Sequence, residues 1–282
     1  MTTNRRRELA RRGICPNCGN EYKRLAIHWK GQCSPPTLQS ARLSLITGFL
    51  LGGGRIGGNG VNKHFQVTTQ WRPFAFWVFE QLGWLGATVV RKNPPRSDDN
   101  DARSPAQHYV VRTHAHPALN QFRAWYSLSY NEETEQCEAK SENDHETKSS
   151  ETKYRTVPAP EDLPAGRLTQ RAGRAWHAVA GRIGWGNDEY ATTRQAWFSA
   201  QDETRAAEIM RLLESVGLTP SRAGRGVELP PKQVTAWLDW IGEPVPGVAY
   251  KWAGTPDEYM NLKRDAEALR ARLWYHPEME SG

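Results

Sequence analysis

Apolar and polar positions along this chain follow two periods, and the order of those periods recurs. From Leu38 an apolar run (Leu43, Leu45, Ile46, Phe49, Leu50 and Leu51) predicts a buried helix that stops at Gly52-Gly53-Gly54. Lys63 to Gln70 reads as a strand, and Arg72 to Gly83 as a largely buried helix. Ala87 to Lys92 and His108 to His114 read as strands joined by a polar loop, and Pro117 to Tyr126 as a helix. With a short strand at the glycine-rich turn, the order is helix–strand–strand–helix–strand–strand–helix.

The pattern restarts near Leu168. Arg174 to Ala180 is helical, and Arg182 to Gln201 reads as a hairpin. Glu203 to Val216 is a helix with Ala206, Ile209, Met210, Leu213 and Val216 on one face. Arg222 to Leu229 closes a second hairpin, and Pro231 to Ile241 is a last helix. Gly54-Arg55-Ile56-Gly57 recurs as Gly181-Arg182-Ile183-Gly184, 127 positions on, at the same place in both patterns. A duplicated unit joined head to tail predicts a pseudo-two-fold monomer.

The glycine run also fits G-x-G-x-x-G, but a dinucleotide site is rejected. A turn and a strand follow it instead of a helix, and no acid for a ribose lies in the next 20 positions.

Charge changes the picture. The 282 residues carry 37 Lys and Arg against 31 Asp and Glu, a net +6. Asn131 to Lys153 holds eight acids and three lysines, so this segment carries −5 and the rest of the chain +11. A basic body with a polar acidic insert points to a polyanion such as nucleic acid. No apolar run reaches about 18 residues, which argues against a membrane helix. The Arg-rich N-terminus lacks the apolar core of a secretory signal, so a cytoplasmic or nucleoid-associated protein is expected.

Three of the four cysteines cluster in C-x2-C-x9-H-x4-C: Cys15, Cys18, His28 and Cys33. Two thiolates from one turn, a histidine on a short helix and a cysteine just past its end suit a tetrahedral structural Zn²⁺. The alternative is a basic tail with incidental cysteines. Five positions do not keep His28 and Cys33 on one helical face, so the helix must end between them. Cys137 reads as an unpaired thiol in the insert. Arg5, Arg6, Arg7, Lys23, Arg24 and Lys30 flank the cluster and suit phosphate contacts, or are ordinary solvated charge. Arg55, Lys63 and Arg72 are the further candidates for DNA contact.

The residues before the glycines add a resemblance. Ile46-Thr47-Gly48-Phe49-Leu50-Leu51-Gly52-Gly53-Gly54-Arg55-Ile56 resembles the signature helix of the LAGLIDADG homing endonucleases. Leu168-Thr169 through Trp176-His177-Ala178-Val179-Ala180-Gly181 is similar to the second signature of that family. Tyr154-Arg155-Thr156-Val157-Pro158 and, at the end, Pro246-Gly247 with Tyr250-Lys251-Trp252 extend it, in family order, from about Pro36 to Trp252.

The resemblance implies an α+β fold of two αββαββα halves, their signature helices packed at the centre and their curved sheets forming a saddle in the DNA major groove. It divides the chain into a basic arm and zinc finger (1–36), a first half (37–130), an acidic linker (131–155), a second half (156–252) and a C-terminal helical extension (253–282). In the family an acid at each helix foot holds divalent metal, and Mg²⁺ requires such oxygen ligands. Here those positions are Gly53 and Ala180. Asp188 and Glu189 lie beyond the foot. The basic positions are represented by Lys251 and Arg155. The implied function is double-stranded DNA binding with cleavage lost. The alternatives are an active endonuclease using Mg²⁺, or a maturase binding structured RNA.

Overall fold

The computed structural model describes residues 14–15, 17–23, 25–31, 33–58, 63–92, 108–126, 158–185, 193–200 and 202–275. Arg5, Arg6, Arg7, Arg24, Arg155, Cys137, Asp188, Glu189 and the acidic segment 131–155 lie outside them.

After a short helix α1 (Leu25–Gly31), α2 (Ser40–Gly52) leads into β1 (Arg55–Gly57) and β2 (His64–Thr69). Helix α3 (Arg72–Leu82) separates these from β3 (Gly86–Lys92) and β4 (His108–Thr113). The order repeats as α4 (Gln170–Ala180), β5 (Gly181–Trp185), β6 (Arg194–Ser199), α5 (Glu203–Glu214), β7 (Ser221–Ala223), β8 (Gly226–Leu229) and α6 (Pro231–Ile241). A 20-residue helix α7 (Pro256–Tyr275) follows. Each half has one four-stranded antiparallel sheet, in the orders β1-β2-β4-β3 and β5-β6-β8-β7. No helix among the described residues is long and apolar enough to cross a membrane.

The centre of the molecule is the contact of α2 with α4. Helix α2 is apolar nearly all round, as a helix covered on every side must be. The two backbones approach so closely that a Cβ on Gly48 would lie 2.0 Å from the Ala172 carbonyl oxygen and 2.8 Å from the Ala175 Cβ. One turn on, a Cβ on Gly52 would lie 2.7 Å from the Val179 Cβ. Gly48 and Ala175, and Gly52 and Val179, hold equivalent places in the two signatures, so the contact obeys the pseudo-two-fold relation.

Three details differ from the sequence pattern. Pro117–Tyr126 is a 3-10 helix rather than an α-helix. Its buried Leu119, Phe122 and Trp125 recur every three residues, the period at which 3-10 side chains eclipse. Helix α4 begins four residues before Arg174, because the Thr169 hydroxyl accepts the Ala172 N–H and caps it there. In α5 the buried face takes Leu212 with Ala206, Ile209 and Leu213, leaving Met210 half-buried.

Candidate nucleic-acid interface and metal centre

Alternation along the strands separates a covered face from an open one. In the first sheet Phe65, Val67, Val111 and Thr113 point into the core. Register brings Arg55 opposite Gln66, Gln66 opposite Arg112, and Arg112 opposite Thr88. Residues so paired point the same way, so these four form one row across the open face, and Arg112 donates to the Gln66 amide oxygen at 3.3 Å. The second sheet carries the matching row Arg182, Trp197, Glu228 and Ser221. Arg55 and Arg182, the arginines of the repeated Gly-Arg-Ile-Gly, start the two rows. The rows are chemically unequal: two guanidiniums and an amide face one way, a guanidinium, an indole and a carboxylate the other.

Between the sheets lie the feet of α2 and α4. Gly53 ends α2 with φ +138°, a conformation that disfavours any side chain, and Ala180 is the last residue of α4. Neither has a side-chain ligand for a metal. Cations stand there instead. Lys251, on the 3-10 turn Ala249–Trp252, donates from Nζ to the carbonyls of Ala178 (2.8 Å) and Val179 (3.2 Å), capping the negative end of α4. Burial, with Arg182 nearby, pulls its ammonium down to about 7. Arg205 of α5 reaches the Leu51 carbonyl at the foot of α2 at 3.4 Å.

His177 holds the Lys251 turn. The Trp237 indole N–H donates to its Nδ1 at 3.3 Å, leaving Nε2–H to meet the Lys251 carbonyl at 3.0 Å. Burial keeps the ring neutral, its pKa lowered to about 3.

Lys63 is not on this face in the same manner: its Nζ turns back to the Gly58 carbonyl at 2.5 Å. Arg72 opens α3, with its guanidinium 5.4 Å from the Phe76 ring. Lys23 is exposed beside the cysteine cluster, and Lys30 lies on α1. Sequence reasoning missed Gln66, Arg112, Arg205 and Lys263. Arg112 was legible as the outward residue between Val111 and Thr113. Nothing along the chain marks Arg205, because its partner Leu51 is 154 positions away.

At the N-terminal end the ligand atoms of Cys15, Cys18, His28 and Cys33 all lie within 4.8 Å of one another. Cys15 and Cys33 sulfurs are 3.8 Å apart, and Cys18 Sγ is 3.4 Å from His28 Nε2. Zinc bonds of about 2.3 Å to sulfur and 2.0–2.1 Å to nitrogen, set tetrahedrally, put ligand atoms about 3.8 and 3.5 Å apart, so the cluster has the dimensions of a Zn²⁺ site. Helix α1 ends at Gly31, between His28 and Cys33, as the spacing required. Burial raises the Cys15 thiol, but the Cys18 backbone, the Trp29 indole and the Asn17 backbone outweigh it and bring it to about 6. Burial and the neighbouring Cys15 push Cys33 up to about 11. A cation between the two sulfurs removes that repulsion. Trp29, which donates to Cys15 Sγ at 3.3 Å, packs edge-on against Trp84 and His116, so the segment carrying the cluster is docked on the first half.

No protein-family model matches this chain, and no curated protein matches it in sequence. Solved structures do. The homing endonuclease I-WcaI, bound to its DNA recognition sequence, is similar with TM-score 0.58 at 13% identity over 88% of this chain and 97% of that one. The meganuclease I-SmaMI, bound to uncleaveable DNA, covers 83% of this chain and 99% of its own at TM-score 0.40 and 10% identity. The I-LtrWI LAGLIDADG homing endonuclease, bound to target DNA, covers 82% and 91% at TM-score 0.38 and 9% identity. The chain has the LAGLIDADG-type α+β fold, in two halves with one four-stranded sheet each. Its Cys15, Cys18, His28 and Cys33 can hold a metal ion.

Proposed function

We propose that this protein binds double-stranded DNA as a monomer, its two sheets lying in successive stretches of the major groove, and that it does not hydrolyse the duplex. The observation that carries the reading is the pairing of two open-face polar rows with helix feet that bear cations and, among the described residues, no carboxylate. The rows supply base-edge chemistry, since Arg pairs with guanine, Gln with adenine and Glu with the amino group of cytosine. Their inequality makes the preferred site only pseudo-palindromic. Among the described residues the feet offer no carboxylate oxygen for Mg²⁺, so no metal-assisted step is assigned to them. The fold shared with a DNA-bound homing endonuclease supports duplex DNA as the partner.

In the same reading the Cys15/Cys18/His28/Cys33 site holds a structural Zn²⁺, with all four positions filled by protein. The finger adds a basic docking module, with Lys23, Lys30 and the arginines before it available to phosphates.

The test is a selection from a randomised duplex library followed by incubation of the selected duplex with Mg²⁺. Enrichment of a site with two unlike halves and no cleavage is expected. Specific cleavage by the unmutated protein defeats the non-hydrolytic reading. Preference for structured RNA over duplex DNA defeats the choice of partner.

A further inference from the structure

At the end of the helix pair α2 and α4 opposite the feet, a cavity of about 300 Å³ opens between the two halves. The first half supplies Leu45 of α2 and Trp77 of α3, and the second half supplies Arg174 of α4 and Ile241 at the end of α6. Leu45 and Ile241 are buried and Trp77 is half-buried, so most of the lining is apolar. Sites for small organic ligands have this character: apolar walls around a few fixed polar groups. None of the lining residues belongs to the open-face rows or to the helix feet.

The fixed polar group is Arg174. Its Cζ stands 5.6 Å from the centroid of the Trp77 ring, and one Nη donates to the Pro244 carbonyl at 3.2 Å, so the fork is held in place. The Nε–H is buried and has no acceptor among the described residues. A charged donor taken out of water without an acceptor is costly, and it marks where an acceptor belongs. Glu243, exposed at the rim, acts on Arg174 through its charge and not through a bond to Nε. Burial pulls the guanidinium below its ordinary range; Glu243 partly offsets this and Arg171 adds to it. Gln170 and Arg171, in the first turn of α4, bring the positive end of that helix to the same cavity.

The geometry points to a binding site in this cavity for a small organic acid with one carboxylate and an apolar body, its carboxylate on Arg174 and its body against Trp77, Leu45 and Ile241. The carboxylate takes the Nε–H and one Nη N–H side by side, the arrangement in which carboxylate and guanidinium match. The apolar body leaves water as it meets the ring and the two aliphatic side chains. Glu243 at the rim repels a second negative charge, so a monoacid is favoured over a diacid or a phosphate. Both halves line the site, so its ligand ties them together and stabilises the folded chain. The inference does not rest on the DNA-binding reading.

The test uses the full chain with two probes, phenylacetate and 4-methylpentanoate, read by calorimetric titration and by thermal unfolding. At least one acid is expected to bind one per chain and to raise the melting temperature. Its neutral amide should bind about tenfold more weakly or worse, since it keeps the shape and loses the charge. Inorganic phosphate should not displace the acid. Arg174→Gln should abolish binding, and Arg174→Lys should recover only part of it, because an ammonium lacks the fork. Gln170→Glu sets a carboxylate at the exposed start of α4, where it suits the helix, and should weaken the acid about threefold or more. That variant keeps the test valid should Arg174→Gln unfold. Lys232→Gln, an exposed charge at the other end of α6, should change nothing.

Binding that Arg174→Gln loses, or that Gln170→Glu weakens while Lys232→Gln does not, supports the site. Failure of both acids to bind the parent at about 10 mM overturns it. So does an amide or a phosphate that binds as well as the acid, or binding that Arg174→Gln and Gln170→Glu leave intact. None of these results bears on duplex binding, which is measured separately.

Discussion

Gly48 and Lys251 show how little room a single position has here. An alanine at Gly48 gains roughly 1 kcal/mol of helix propensity, but its methyl meets a carbonyl oxygen of the facing helix. Forcing the helices apart costs about 1–3 kcal/mol, so Gly48→Ala is expected to lower the midpoint of chemical denaturation. Lys251 makes stability depend on pH. Its folded pKa of about 7 lies below its ordinary 10.5, so across that window the unfolded chain holds a proton that the folded chain has released. Raising the pH therefore favours the folded state. Comparing Lys251→Met with the parent by denaturation between about pH 7 and 9 should show the parent gaining relative stability, a trend the variant lacks. Tyr250, pushed up to about 12 by burial, works in the opposite direction above about pH 10 and sets the upper limit of that window.

Among the elements, α1 with the Cys15/Cys18/His28/Cys33 cluster is the one whose folding is expected to depend on a ligand. Helix α1 has seven residues, too few to persist alone, and it is held by Trp29 against Trp84 and His116 and by the Cys/His cluster. Metal analysis is expected to find about one Zn²⁺ per chain, and a chelator or Cys18→Ser should release it. Loss of metal should change the tryptophan fluorescence, since Trp29 donates to Cys15, while the cooperative unfolding of the two halves persists. A fluorescence spectrum indifferent to chelation would show that the finger is ordered by packing alone.

For the whole molecule, the pseudo-two-fold relation is kept in the backbone and abandoned in the chemistry. The two feet are equivalent in place but not in conformation. Gly53 has φ +138°, and a Cβ there would meet only Val179 Cγ1, at 3.6 Å, whereas Ala180 closes α4 regularly. Gly53→Asp is thus expected to cost about 1–3 kcal/mol through backbone strain rather than crowding. Ala180→Asp should cost less, and thermal unfolding of the two single variants reads the difference.

The sequence by itself determined the element order, the duplication and the four residues that can hold a metal ion. Each of these depends on local spacing: the apolar period, the Gly-Arg-Ile-Gly repeat, and two cysteines one turn apart. It also determined that the feet carry Gly53 and Ala180, once the repeat set their register. Only the tertiary structure decided what stands at those feet. Arg205 reaches Leu51 across a separation that no pattern along the chain encodes, and Lys251, singled out only by the family resemblance, reaches Ala178. The rows on the open faces likewise needed strand register, because one residue of slip would turn Gln66 and Arg112 into the core and Val67 and Val111 outward. The 3-10 form of Pro117–Tyr126 was settled by the same means: three apolar side chains at intervals of three suit either helix locally, and the surface they cover selects one.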